Sequence, residues 1–240
     1  MISLKGIKKV YDINKKHGIK VKALEDVSLD FSSKGLVAVV GRSGSGKTTL
    51  LNILGGIDKP TSGEIIYNGQ SFKDYKEADF DLYRNHDVSF IFQDYNLLND
   101  YSVIENIKIA CCLQGKSGEE SAAKAEKALK AVGLEDLARR KISSLSGGQQ
   151  QRVAIARAIA KDSAIVLCDE PTGNLDSATA SEIFELLKQT AHERLVIVVT
   201  HDRESADKYA DRLIVLRDGK IIEDKAQSPL PQPLIKAVNQ

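Results

Sequence analysis

Eight consecutive residues carry the clearest chemistry in the chain. Gly41-Arg42-Ser43-Gly44-Ser45-Gly46-Lys47-Thr48 fits G-x-x-x-x-G-K-[ST] without a gap. An apolar run, Leu36–Val40, leads into it, and a helical pattern, Lys47–Leu54, leaves it and stops at Gly55-Gly56. Glycines let backbone N–H groups close around phosphate oxygens where a Cβ would obstruct them. The helix N-terminus adds partial positive charge. Lys47 is expected to reach the β- and γ-phosphates of a nucleotide, and the Thr48 hydroxyl to ligate Mg²⁺. The plainer alternative is a Gly/Ser turn that happens to precede Lys-Thr. The strand and helix flanks argue for the nucleotide.

A second segment, Ala164-Ile165-Val166-Leu167-Cys168-Asp169-Glu170-Pro171, is an apolar strand that ends in two acids. Asp169, at the strand's carboxyl end, is placed to hold Mg²⁺ through water. Glu170 points elsewhere and can reach the far side of the γ-phosphate, where a carboxylate orients or deprotonates an attacking water. The pair predicts hydrolysis rather than binding alone; two solvated acids are the alternative. Pro171 ends the strand because it has no N–H to donate.

A third, Leu145-Ser146-Gly147-Gly148-Gln149-Gln150-Gln151-Arg152, opens a helix over Gln149–Ala160. Ser146 is a good N-cap and the glycines again bare the backbone amides. The chain therefore holds two phosphate-ready helix N-termini, and the economical reading is that the second covers the γ-phosphate from the other side. Gln93 follows a short apolar strand, and His201 follows a buried one, Leu195–Val199. His17, His86 and His192 read as surface residues.

These groups need a scaffold. The apolar runs Leu36–Val40, Ala164–Cys168, Leu195–Val199 and Leu213–Leu216 are short and rich in Val, Ile and Leu, as strands of a parallel sheet buried on both faces are. Helical patterns lie between them. Ser177–Thr190 follows an N-cap, Asp176, and puts Ile183, Leu186 and Leu187 on one stripe. Asp218-Gly219 reads as a hairpin turn. Residues 1–31 with Glu64–Phe72 suggest a small β layer of short strands. From about 94 to 148 no central strand is visible, and Glu119–Val132 forms a helix stopped near Gly133; the reading is a helical subdomain inserted into an α/β core. A domain over 1–224 and a surface tail over 225–240, holding three of the five prolines, complete the division.

Composition narrows the partners. With 34 Lys and Arg against 33 Asp and Glu, the net charge is +1 over 240 residues, so a long-range field does not choose the partner, and no nucleic acid is expected. The densest basic stretch, Lys15, Lys16, Lys20 and Lys22, reads as a solvated loop. Apolar runs reach five residues, against about 20 for a membrane span. Met1–Gly6 has no apolar stretch, so no signal peptide is expected. Cys111, Cys112 and Cys168 do not have zinc spacing and fit a reduced cytosolic setting.

Leu-Ser-Gly-Gly-Gln after a P-loop and before an acid-tipped strand resembles the signature of ATP-binding cassette (ABC) ATPases. The resemblance covers about residues 2–224, with the P-loop, Gln93, the signature, Asp169-Glu170 and His201 in the family's order. It implies a P-loop NTPase (RecA-like) fold, that is, an α/β parallel-sheet core with a small antiparallel β layer and an inserted α-helical subdomain. It implies ATP and Mg²⁺ as cofactors. Tyr11 would stack on adenine, and Gly41 through Thr48 and Thr49 would hold the phosphates. Thr48, Gln93 and Asp169 would hold the metal; Glu170, His201 and Gln93 would act in catalysis. In this family two copies pair head to tail, so Ser146, Gly147, Gly148 and Gln149 would cap the nucleotide of the other copy. Gly173-Asn174-Leu175-Asp176 stands where the family usually has Ser-Ala-Leu-Asp, and Asp176 would couple the two sites.

Asn52–Gly56, Phe90–Gln93, the triple Gln149–Gln151, Glu170–Asp176 and the long stretch Asp12–Lys22 resemble the macrolide-export and lipoprotein-release (MacB/LolD) branch. That implies an ATPase subunit at the cytoplasmic face of the membrane, powering a separately encoded FtsX-like permease and export of peptides, macrolides or lipoproteins. An alternative keeps the ATPase but replaces transport by mechanotransmission or signalling. A translation or DNA-repair ATPase would need a second cassette or a coiled-coil insertion. A P-loop kinase would leave Ser146–Gln149 and His201 without a task.

Overall fold

The computed structural model describes residues 1–14 and 19–227. Lys15, Lys16, His17 and, from residue 228, nearly all of the expected tail lie outside the described residues. In chain order the strands and helices are β1 (Ile2–Asn14), β2 (Ile19–Phe31), β3 (Gly35–Val40), α1 (Lys47–Leu54), β4 (Ser62–Tyr67), β5 (Gln70–Ser71), α2 (Glu77–Leu82) and β6 (Val88–Ile91). Then follow α3 (Val103–Leu113), α4 (Gly118–Ala131), α5 (Gly147–Lys161), β7 (Ile165–Asp169), α6 (Ser177–Thr190), β8 (Leu195–Thr200), α7 (Arg203–Tyr209), β9 (Arg212–Arg217) and β10 (Lys220–Ala226).

A six-stranded sheet in the order β10-β9-β3-β8-β7-β6 forms the centre. It is parallel except for the β9–β10 hairpin. The hairpin turns at Asp218 (φ 49°) and Gly219 (φ 75°), the two positive φ values of a type I′ turn. Strand period sorts the side chains between faces. Val37 and Val39, Leu195, Ile197 and Val199, and Ile165 and Leu167 pack with α1 and the second sheet. Val196 and Val198, Val166 and Cys168 face the other way, toward Val153, Ile155, Ile183 and Phe184. Because both faces are covered, these strands read as unbroken apolar runs.

The second sheet, β2-β1-β4-β5, is antiparallel. It is the expected β layer, but β1 and β2 are 13 residues each rather than short. Register shifts between Leu4 and Ile7 and between Ile7 and Lys9 break their alternation, which is why the sequence shows them as fragments.

Between β6 and β7 the chain forms α3, α4 and α5, with α5 packed on α3 and α4. Apart from one isolated bridge, Ser102–Lys141, these described residues make no sheet pairing. Gly133 ends the α4 segment at φ 66°. At the other end of the chain the expected boundary at 224 falls too early. Lys225 and Ala226 pair with Leu213 and Arg212 in β10, so the last strand extends two residues into what composition marked as tail.

Candidate functional site

The loop Gly41–Gly46 leaves the carboxyl end of β3 and enters α1. Gly46 is the N-cap at φ 102°, with no side-chain cap, so the first-turn amides are left for an external acceptor. A Cβ on Gly46 would stand 2.3 Å from the Ala23 carbonyl, and one on Gly41 2.3 Å from the Leu216 carbonyl. The loop is thus wedged between β2 and β9. The hairpin turn supports it: Gly219 N donates to Ser45 O at 3.1 Å. Lys47 is buried and its Nζ donates to Gly41 O at 2.8 Å and Arg42 O at 3.2 Å, which curls the side chain over the loop. Ser45 Oγ is buried with no hydrogen-bond partner, an orphan polar atom inside a cradle lined by amides.

Asp169 and Glu170 arrive from β7. Thr48 Oγ1 donates to Asp169 Oδ1 at 3.2 Å. Burial raises the Asp169 carboxyl above its usual pKa; the Thr48 hydrogen bond opposes that rise and the Glu170 charge adds to it. Glu170 takes a positive φ of 46°, and its N–H donates to Val199 O at 2.9 Å. This turns its side chain across the end of β8. There Glu170 Oε2 lies 2.9 Å from His201 Nδ1, and Oε1 lies 3.7 Å from Lys47 Nζ.

Tyr11, Arg42, Ser43, Gly44, Gly46, Lys47, Thr48, Thr49, Gln93, Asp169, Glu170 and His201 line one cavity of about 940 Å³. Tyr11 donates its hydroxyl to Asp58 Oδ2 at 2.7 Å, with Lys9 Nζ 4.8 Å from its ring centroid. Burial, with the Asp58 hydrogen bond, raises the Tyr11 phenol. Val21, Ala23, Phe92, Asp94 and Asn96 complete the wall; as ordinary strand and loop residues they carried no sequence signal.

Ser146–Gln149 does not join this cavity. It lines a separate hollow of about 510 Å³ with Asn174, Leu175, Asp176 and Thr179. Ser146 Oγ accepts from Gln149 N at 3.3 Å and Gln149 Oε1 accepts from Ser146 N at 3.0 Å, a closed capping box. Asp176 caps α6, its Oδ1 accepting from Ala178 N and Thr179 N and its Oδ2 from Thr179 Oγ1.

Arg157 on α5 carries a contact that sequence reading missed. It donates to Asn96 O at 2.7 Å and Tyr95 O at 3.2 Å, and both acceptors sit at positive φ. The clamp ties the segment after Gln93 to the helix that begins at Ser146. An Arg mid-helix in an Ala-rich pattern gives no hint of such a target.

The residues present fit a nucleotide with a divalent cation. A hydroxyl and a carboxylate 3.2 Å apart beside a cradle of backbone amides suit Mg²⁺, which takes one or two carboxylates and completes its shell from phosphates and water. Among the described residues no cluster of three His, Cys, Asp or Glu could hold a metal without such help. No helix among them is long and apolar enough to cross a membrane.

Comparison with known proteins identifies the family and the fold. A family profile described as "ABC transporter" matches residues 24–173. The lipoprotein-releasing system ATP-binding protein LolD of Chromohalobacter salexigens is 41% identical over 226 residues, covering 93% of this chain and 94% of that protein. The macrolide export ATP-binding/permease protein MacB 2 of Aeromonas hydrophila is 40% identical over 235 residues, 98% of this chain but 36% of that protein. The chain thus spans about a third of the length of that second relative. The dimeric structure of a post-hydrolysis state of the ATP-binding cassette MJ0796 bound to ADP and Pi superposes with a TM-score of 0.85 at 37% identity, over 96% of this chain and 100% of that one.

Proposed function

The chain belongs to the ABC transporter family, and from that premise we propose that it is the ATP-hydrolysing subunit of a MacB/LolD-type export system, working as a head-to-tail pair of copies on a membrane permease. The observation that carries this reading is the separation of two phosphate-ready elements. Lys47, Asp169, Glu170 and His201 share one cavity, while Ser146–Gln149 lines another. One chain holds half of each of two sites, and a second copy completes both.

In this reading ATP lies along the P-loop with its base over Tyr11. Lys9 covers one face of that ring and leaves the other for adenine. The amides of Gly44 through Thr49 and the Lys47 ammonium hold the phosphates. Thr48 and Asp169, with Gln93, hold the cation. Bound Mg²⁺ supplies charge neutralisation on the transferring phosphoryl group. Glu170 accepts a proton from the attacking water. His201 orients Glu170 and contacts the γ-phosphate. Ser146, Gly147 and Gly148 of the second copy cap that phosphate from the opposite side, so ATP binding draws the pair together and loss of the phosphate lets it open. Gln93 and the segment after it, held by Arg157, carry this change to the α3–α5 region and from there to the permease. Members of the branch named by the relatives serve macrolides and lipoproteins; an amphiphilic export substrate of that kind is proposed here.

The pairing is tested by complementation. A Lys47→Ala chain and a Ser146→Arg chain are each inactive, but mixed they form one heterodimer in which an intact P-loop faces an intact signature. Partial recovery of ATP turnover is expected. No recovery from folded, associating mutants overturns the shared site.

A further inference from the structure

Gly173 and Asn174, the two positions at which this loop departs from the usual pattern, are both in contact with Gln93. Asn174 Nδ2 donates to the backbone carbonyl of Gln93 at 3.4 Å, and Gln93 Nε2 donates to Asn174 Oδ1 at 3.2 Å. A Cβ on Gly173 would stand 3.1 Å from Gln93 Nε2 and 3.4 Å from its Cδ. The loop is anchored behind them, with Gly173 N donating to Glu170 O and Leu175 N to Thr172 O, both at 3.1 Å. These two residues therefore form a seat for the Gln93 side chain, built on the turn that follows Glu170.

The hydrogen bonds in that seat have only one consistent sense. The oxygen and nitrogen of a carboxamide are nearly equal in size, and only their partners decide which way the group faces. A backbone carbonyl can only accept, so Asn174 must present Nδ2 to Gln93 O. Its Oδ1 then faces the Gln93 side chain and can be met only by Nε2. Gln93 Oε1 is left over, and oxygen is the atom of that group that can ligate a hard divalent cation. An apolar residue at 174 would remove the constraint and leave the Gln93 amide free to present its N–H groups to the metal.

We propose that Asn174 is a positioning residue that sets the polarity of the Gln93 carboxamide, committing Oε1 to the cation held by Thr48 and Asp169, with Gly173 providing the room. This rests on the metal role of Gln93 proposed above. It also gives the turn after Glu170 a direct link to the metal within one chain: any displacement of Asn174 turns or frees the Gln93 ligand.

The test measures the gain in nucleotide affinity that Mg²⁺ brings, using the full chain and the fluorescent, non-hydrolysable analogue mant-AMPPNP, titrated once in EDTA and once in saturating Mg²⁺. Gln93→Ala is expected to cut that gain, and Asn174→Ala to cut it by a similar factor, up to roughly tenfold. Asn174→Leu, which keeps the γ-branched shape and removes the polarity, is expected to match Asn174→Ala and covers the case in which the smaller variant misfolds. In both Asn174 variants the affinity in EDTA stays at the parent value, which a merely structural defect would lower. The double variant Gln93→Ala/Asn174→Ala is no worse than Gln93→Ala, because one residue acts through the other. An unchanged Mg²⁺ gain in both Asn174 variants beside a reduced one in Gln93→Ala overturns the inference, as do additive losses. An unchanged gain in Gln93→Ala itself removes Gln93 from the metal site, and the role of Asn174 falls with it.

Discussion

Glu170 Oε2 lies 2.9 Å from His201 Nδ1 and accepts from the His201 backbone N–H at 3.2 Å. The carboxylate is therefore held by the residue that follows β8, while its other oxygen faces Lys47. Glu170 can be held this way because its positive φ turns it off the line of β7.

The first prediction follows from that hold. Glu170→Gln keeps the shape and one acceptor oxygen for the His201 N–H, but replaces the other oxygen with an N–H donor and removes the negative charge and basicity. ATP binding should stay near the parent value and turnover should fall by about 10²–10⁴, the usual share of a general base. Size-exclusion chromatography with ATP should then show accumulated dimers. Unchanged turnover removes Glu170 from the role of base.

The parts of this site that were legible from sequence are those whose chemistry is local. Gly41–Thr48 is a continuous pattern, and the Ser146–Gln149 cap closes over four residues. Asp176 sits one residue before the helix it caps. Long-range contacts were not legible. The π-helical turn Tyr83–Asp87 is tied to distant carbonyls: Tyr83 donates its hydroxyl to Leu54 O and Arg84 its guanidinium to Gly56 O. Neither partner can be read from the segment. The Gln93–Asn174 pair spans 81 residues, and each side chain alone reads as a surface amide. The long strands β1 and β2 were hidden by their bulges, which reset the alternation that marks a strand.

Asp169 allows stability and metal binding to be separated. Burial raises its pKa above the ordinary 3.8, with the Glu170 charge adding to the rise, so the ionised form costs the fold stability at neutral pH. Asp169→Asn removes that cost and keeps an acceptor for Thr48. The nucleotide-free variant should melt no lower than the parent at pH 7 and somewhat higher if relaxation is small. The folded state holds its proton more tightly than the unfolded one, so the difference should shrink as pH falls through the raised pKa toward 3.8. The same variant should lose the Mg²⁺-dependent gain in nucleotide affinity. Scanning calorimetry at two pH values and one nucleotide titration check both halves; a melting point well below the parent's at pH 7 contradicts the first.

Lys161 titrates in an accessible range. Burial, reinforced by the Arg157 charge, lowers its pKa from 10.5 to about 8, while its Nζ donates to Arg84 O and Val88 O. Between those two pKa values the unfolded chain carries more of this proton than the folded one, so stability should rise as pH increases from about 8 toward 10.5. Urea midpoints measured from pH 7.5 upward should show this rise in the parent and not in Lys161→Gln, which keeps a donor but does not titrate. An identical pH dependence in the two proteins rules out the assignment.

Gly55 marks how closely α1 packs on the sheet. A Cβ there would stand 2.0 Å from Phe90 Cζ and 3.1 Å from Leu167 Cδ1. Gly55→Ala should cost about 1–3 kcal/mol as overpacking. Adding Phe90→Leu, which withdraws the ring, should return part of that loss. Chemical denaturation of the single and double variants checks the coupling; strict additivity argues that the strain is relieved elsewhere.

Asp176 combines two tasks that one substitution can separate. Its carboxylate caps α6 through Ala178 N, Thr179 N and Thr179 Oγ1, and the last of these bonds fixes the Thr179 side chain against Gly148, where a Cβ would stand 2.5 Å from Thr179 Cγ2. The cap and the signature glycines are therefore packed as one unit at the hollow proposed to meet the second copy. Asp176→Asn keeps an oxygen for the α6 amides and removes the charge; Asp176→Ala removes both. If the residue only caps the helix, Asn should retain the parent melting temperature and turnover, and Ala should lose melting temperature while keeping most turnover at a temperature where it remains folded. Coupling between copies predicts a different split. Asp176→Asn then keeps the melting temperature but lowers ATP turnover and weakens ATP-induced dimerisation, because the negative charge at the copy-facing rim is what the partner reads. The second outcome is the one expected here, since Asp176 lines the same hollow as Ser146–Gln149, the face proposed to meet the second copy.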